Sequence, residues 1–184
     1  MKTDARVRYT LMRIEEAFFT LLKKKPINRI TVRELCDMAE INRATFYTHY
    51  TDVYGLMETL EEQTLAKIRE YATAELEQSG NLLEGLLRGM VTNNSNATLL
   101  TSENCDPNFS RRATALLYDL YRPVLASQLP HLTPRELEEV YRFICGGCSG
   151  IMALWFEEEC TTPPKIVAER IHIMVEKCIQ SLKQ

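Results

Sequence analysis

The sequence predicts an all-α protein. Three observations carry that prediction. Apolar residues recur at steps of three and four along most of the chain, which places one stripe on each helix. Helix-start signals stand before several of these stripes. No stretch alternates apolar and polar residues as a half-buried strand would, and there is no internal repeat or low-complexity tract.

Val7, Leu11, Ile14, Phe18, Leu21 and Leu22 form the stripe of a first helix. It runs into Lys23-Lys24-Lys25, cations that suit the negative end of a helix dipole, and Pro26 stops it. Thr31 with Glu34 three residues later has capping-box spacing, so a second short helix is expected over about 32–39, with Val32, Leu35, Cys36 and Ala39 inward. Asn42 is a good N-cap for a third short helix, about 43–49, whose inward side chains are Phe46 and Tyr50. Thr51-Asp52 starts a long fourth helix to about Glu77, which Ser79-Gly80-Asn81 breaks. An amphipathic segment follows over about 82–94, then a loop over 102–107. A helix is expected over about 108–128, bent at Pro123. Thr133-Pro134-Arg135-Glu136 opens another, to about Glu158. Thr162-Pro163-Pro164 opens the last, to about Leu182.

The chain has 184 residues, 45% of them hydrophobic and 26% charged, which excludes disorder as its main state and suits a small unit joined to a larger one. Net charge is −3, yet it is unevenly spread: residues 1–55 hold ten Lys/Arg and seven Asp/Glu, a balance of +3, against −6 in the rest. A basic head on an acidic body fits one end that meets phosphates and another that does not adhere to them. The N-terminus lacks the apolar core of an export signal, and no run of about 18 apolar residues suggests a membrane span. The expectation is a cytoplasmic protein, independent of membranes, whose six cysteines (36, 105, 145, 148, 160 and 178) are reduced thiols.

A helix of about eight residues, a three-residue turn and a second short helix is the helix-turn-helix plan, in which the second helix enters the major groove of DNA. With Phe46 and Tyr50 inward, the groove-facing set is Ala44, Thr45, Thr48 and His49, flanked by Asn42, Arg43 and Tyr47, with no acid among them. Arg43 can reach a guanine edge or a phosphate, and Thr45, Tyr47 and His49 can donate to phosphate oxygens. Ala44 is small enough to let the helix approach a base edge or a thymine methyl.

The run Thr31-Val32-Arg33-Glu34-Leu35-Cys36-Asp37-Met38-Ala39-Glu40-Ile41-Asn42-Arg43-Ala44-Thr45-Phe46-Tyr47-Thr48-His49-Tyr50 resembles the signature of the TetR family of bacterial transcription regulators. The resemblance covers roughly residues 6–57, with the capping Thr, the mid-helix Ala, Thr-Phe-Tyr and the closing aromatic at the family spacing. It implies a head over residues 1–55 and a helical regulatory and dimerising body over 56–184. It also implies phosphate contacts by Thr31 and Tyr47, base contacts by Arg33 and Arg43, and a backbone contact by His49. Two positions depart from the pattern. Glu40 replaces the turn glycine, so a non-glycine residue is expected in a left-handed conformation. Val53 stands where the family often has a phosphate-clamping lysine.

In the body, Phe143-Ile144-Cys145-Gly146-Gly147-Cys148-Ser149-Gly150-Ile151 followed by Trp155 resembles the C-terminal domain common in TetR-like regulators of Firmicutes. The resemblance implies a four-helix dimer interface from the last two helices, for which Gly146, Gly147, Gly150, Ile171, Val175 and Ile179 are candidates. Met90, Tyr118, Tyr121, Phe143, Met152 and Trp155 are candidates for an effector pocket; each could equally be core. Cys145-x-x-Cys148 supports either small-residue packing or a redox or metal role, though a zinc site needs about four ligands and the nearby sequence holds no second pair.

The leading expectation is a DNA-binding regulator, a repressor rather than an activator. It would bind a palindromic double-stranded operator as a homodimer and answer an unidentified small-molecule effector. No catalytic constellation, cofactor or metal is expected. Glu40 and Val53 leave open a co-regulator of the same fold that binds a protein partner, and the cysteines leave open a thiol-based sensor.

Overall fold

A computed structural model describes residues 5–78 and 107–183. The helix expected over 82–94, with Met90, and the thiol of Cys105 lie outside the described residues. Those residues form seven α-helices and one short 3-10 turn, with no strand among them. In chain order these are α1 (Ala5–Leu22), the 3-10 turn (Ile27–Arg29), α2 (Val32–Ala39), α3 (Arg43–Tyr47), α4 (Val53–Gln78), α5 (Pro107–Gln128), α6 (Pro134–Glu157) and α7 (Pro164–Ser181). The residues divide into two compact units, one holding 5–64 and 107–110 and the other 65–78 and 111–183. The division falls inside α4, after Thr64.

In the first unit, α1 buries Ile14, Ala17, Phe18, Phe19, Leu21 and Leu22, and α2 packs on it through Leu35, Cys36 and Ala39. The start of α2 is the expected capping box: the Glu34 N–H donates to Thr31 Oγ1 at 3.3 Å, and the Thr31 N–H donates to Glu34 Oε2 at 3.1 Å. Asn42 Oδ1 accepts from the Thr45 N–H at 3.0 Å and starts α3. Asp52 Oδ1 accepts from the Gly55 N–H at 2.8 Å and starts α4. A Cβ on Gly55 would come within 2.6 Å of Thr51 Oγ1, so a larger residue there would require the Thr51 side chain to turn away. The α-helix of α3 ends at Tyr47, two residues before the expected end; the Thr48 N–H is shared between the Ala44 and Thr45 carbonyls, which tightens the last turn.

In the second unit, Leu125, Leu129, Leu137, Tyr141 and Ile179 form a core drawn from α5, α6 and α7 and the turn between the first two. Helix α5 continues through Pro123. Thr133 and Glu136 form a second capping box at the start of α6. Trp155, near the end of α6, is buried; its Nε1–H donates to the Thr162 carbonyl at 2.8 Å, and its own carbonyl accepts from the Cys160 N–H at 3.0 Å. One residue thus fastens the loop into α7 at two points. That loop carries Glu159 and Cys160 in the left-handed region, both at φ 55°.

Candidate nucleic-acid interface

Phe46 and Tyr50 hold α3 from behind. Both are buried, with ring centroids 5.6 Å apart. Their burial turns the rest of the short helix outward. Asn42, Arg43, Ala44, Tyr47, Thr48 and His49 are exposed and Thr45 is half-buried. On α2, Thr31 and Arg33 are exposed, with Arg33 in a loose pairing to Asp37 at 3.7 Å. All nine candidate residues therefore lie on α2, α3 or their ends, and none is buried. The hydroxyl of Thr48 is engaged with the Thr45 carbonyl at 2.7 Å, so it supports the helix end as well as facing out.

Glu40 adopts φ 57°, ψ 42°, the left-handed conformation expected where the turn lacks glycine. The Ile41 N–H reaches back to the Cys36 carbonyl at 3.0 Å, as a left-handed helix end requires. Arg13, on α1, secures this turn: its Nε–H donates to the Ala39 carbonyl at 3.3 Å and its Nη2–H to Glu40 Oε2 at 2.8 Å. Glu40 therefore has a cation beside it. Sequence reasoning missed Arg13, because the contact spans 27 residues and no local pattern marks it.

The two halves of this latch should differ in their effect on stability. Arg13→Ala removes a part-buried hydrogen bond to a helix-end carbonyl along with the ion pair, and is expected to destabilise by about 1–2 kcal/mol. Glu40→Gly loses an exposed ion pair but relieves the left-handed strain, so it should stay within about 1 kcal/mol of the parent. Urea unfolding of the two variants, followed by helical circular dichroism, measures the difference; a larger loss for Glu40→Gly would contradict this account.

At the other end of α2, Lys25 Nζ lies 2.6 Å from Glu34 Oε1. Hydrogen bonds from Lys25 and then Thr31 hold the Glu34 carboxyl below the usual carboxylate range. Val53 is only 5% exposed, so the start of α4 uses this position for packing.

The described candidates of the body differ in exposure. Phe143, a candidate for the effector pocket, is 73% exposed, and Trp155 is sealed in the α6–α7 corner. The other described candidates, Tyr118, Tyr121 and Met152, are half-buried, and Tyr118 stacks on Tyr141 at 4.8 Å. Ile171 (1% exposed) and Ile179 (4%) face the chain's own interior, and Val175 packs against the same core as Ile179. The resemblance places the last two helices at an interface, and apolar spacing does not say which of their stripes the chain's own core covers. Gly146, Gly147 and Gly150 are exposed, and a Cβ at any of them would meet nothing within 4 Å. With Phe143 and Leu154, Gly147 and Gly150 form an outward stripe on α6 at steps of four, three and four. Ile166, one of the apolar positions the sequence places on the last helix, is exposed, as are Ile173, seven residues on, and Met174, which sequence reasoning passed over. Two apolar stripes on one helix were the available signal.

Burial raises the thiol pKa of Cys145 and lifts that of Cys148 to about 11, which favours the protonated, unreactive form. No group of three or more His, Cys, Asp or Glu among the described residues is placed to hold a metal ion. No helix among the described residues is long and apolar enough to cross a membrane.

An α-helical head that presents a short, acid-free helix beyond a capped turn, joined to a second helical unit, defines a helix-turn-helix transcription regulator. Residues 77–177 match the TetR C-terminal family described as "Transcriptional regulator C-terminal region", which is more than half of the chain. The chain belongs to the TetR family of transcription regulators, a family of regulators and not of enzymes. Solved structures agree on the fold. A TetR transcriptional regulator from Streptococcus agalactiae is 22% identical, with 92% of this chain and 95% of that chain covered and a TM-score of 0.66. A regulator of the TetR/AcrR type from Aquifex aeolicus is 21% identical over 91% of this chain and 98% of that one, with a TM-score of 0.64. NalD of Pseudomonas aeruginosa, the secondary repressor of the MexAB-OprM multidrug efflux pump, is 16% identical over 95% and 98%, with a TM-score of 0.68. No curated protein matches the chain by sequence.

Proposed function

We propose that the chain is a repressor that binds a palindromic operator as a homodimer and releases it when a small-molecule effector enters the body. The observation that supports this best is the outward face of α3. Arg43, Tyr47 and His49 project from a helix that Phe46 and Tyr50 anchor, and no acid stands among them. In this reading residues 1–55 are the reading head and 56–184 the regulatory body. Arg43 and Arg33 meet base edges, Thr31, Thr45, Tyr47 and His49 meet phosphates, and Thr48 faces the groove. Asn42 sets the entry of α3, and Ala44 lets it approach closely.

The exposed stripes of α6 and α7 are the surface offered to a second copy. Phe143, Leu154, Ile166 and Ile173 supply apolar area, and the glycines supply room for a partner helix. Two heads would then meet half-sites about 34–36 Å apart. An effector that prefers one head spacing shifts the operator equilibrium by its difference in affinity for the two states, and operator and effector affinities change reciprocally. The protein would work in the cytoplasm, with no cofactor.

Gel-shift titration against duplexes from the region upstream of the protein's own gene tests this. The parent chain is expected to select one duplex, and Arg43→Ala with Tyr47→Ala to weaken that complex at least tenfold, from the loss of a base or phosphate contact worth about 1–3 kcal/mol. Unchanged affinity in the double variant would overturn the assignment of α3 as the reading helix.

A further inference from the structure

The cations of the head fall into two groups. Arg13, Lys25 and Arg33 are engaged by Glu40, Glu34 and Asp37. Lys23, Lys24 and Arg29 are exposed and make no ion pair among the described residues. All three lie on the connection from α1 to α2, and residues 23–31 hold four cations and no acid. Arg8, also exposed, stands about 22 Å away at the other end of α1, at 1.5 Å per residue.

The connection is fixed rather than loose. The Lys24 and Lys25 N–H groups both return to the Leu21 carbonyl, at 2.9 and 3.1 Å. The Arg29 N–H donates to the Pro26 carbonyl at 2.9 Å, and buried Ile30 anchors the turn. The Lys25 ammonium then ties the basic run to Glu34, the same carboxylate that closes the cap at Thr31. Lys25 thus offsets the nearest acid, and its neighbours' charges stay uncompensated beside the exposed N-terminal end of α2.

We propose that Lys23, Lys24 and Arg29 form a basic shoulder that grips the phosphate backbone of DNA next to the start of α2. The inference rests on the DNA-binding reading above and extends it to residues outside α2 and α3. Contacts of this kind set affinity and register and carry no sequence information. They should therefore appear in the salt dependence and not in the choice of sequence. Each phosphate contact contributes about 0.9 to the slope of log affinity against log salt.

The test uses the full chain with Lys23→Gln, Lys24→Gln and Arg29→Gln combined, and a control with Arg111→Gln and Arg122→Gln, exposed cations on α5. Binding to the selected upstream duplex and to a random-sequence duplex is titrated across a salt series. The expected result is a slope lower by about 5 for the head variant on both duplexes, from three contacts in each of two heads, with an unchanged ratio of the two affinities and a control that behaves as the parent. A parent that binds while the head variant keeps its slope would overturn the shoulder and leave the DNA-binding reading intact. So would a head variant that loses its preference between duplexes at constant slope. A parent with no affinity for either duplex would remove both readings together.

Discussion

Phe46→Ala is expected to abolish operator binding by unseating α3. The ring is fully buried, packs edge-on against Tyr47 at 5.6 Å and lies against Tyr50 at the same distance. Truncating a buried phenylalanine costs about 3–5 kcal/mol, the lost burial plus the cavity left behind. A unit of about 60 residues has only roughly 3–9 kcal/mol in hand. Helix α3 has five residues, too few to persist without its anchor. Phe46→Leu keeps most of the volume and should cost less than about 1.5 kcal/mol, with binding retained. The single tryptophan of the chain, Trp155, lies in the other unit, so its fluorescence reports separately on the body. The outcome to look for is loss of gel shift with the Trp155 transition near its parental midpoint. Normal DNA affinity in Phe46→Ala would show that α3 does not depend on this core.

The second large effect is expected at Trp155 itself. Its indole is buried, and it holds the α6–α7 loop by its ring N–H and its carbonyl. Trp155→Ala should destabilise the body by about 3–5 kcal/mol. It also removes the ring N–H tie while the backbone carbonyl tie to Cys160 stays, so a loop whose residues Glu159 and Cys160 are held in left-handed conformations is weakened and local unfolding should begin there. Trp155→Phe retains most of the bulk and leaves the Thr162 carbonyl without this donor, a loss of about 1–3 kcal/mol. Thermal melts by circular dichroism compare the two, and hydrogen exchange at residues 158–163 locates the opening. Equal melts for both variants would mean that the indole's bulk contributes nothing to the corner. If α6 and α7 also carry the dimer surface, Trp155→Ala should raise the fraction of monomer in sedimentation.

Most helix starts were legible in the sequence because their determinants are local. Thr31 with Glu34 and Asn42 with Thr45 in the head, and Thr133 with Glu136 in the body, each act over three residues, and a helix start needs little else. The left-handed Glu40 was legible for the same reason: the geometry of the turn demands it whichever residue stands there. The limits of the reading lie where a side chain meets something distant in sequence. Arg13 meets Glu40 across 27 residues. Ile171 and Ile179 carried the right periodicity for a buried stripe, but periodicity does not distinguish a chain's own core from a second copy. Phe143, an aromatic on a body helix, looked like pocket lining until its exposure placed it on the outward stripe with the glycines.

The sequence by itself determined an all-helical chain, the position of nearly every described helix boundary, the acid-free composition of the α3 face and its TetR-like signature. Local hydrogen bonds and apolar periodicity are short-range, so the order of residues is enough to set them. Tertiary structure alone decided which stripe each body helix turns inward, which cations are engaged and which stay open, and that Val53 serves packing. Those outcomes depend on which surfaces fold against one another, and the burial and ion pairing that follow are set by neighbours far away along the chain.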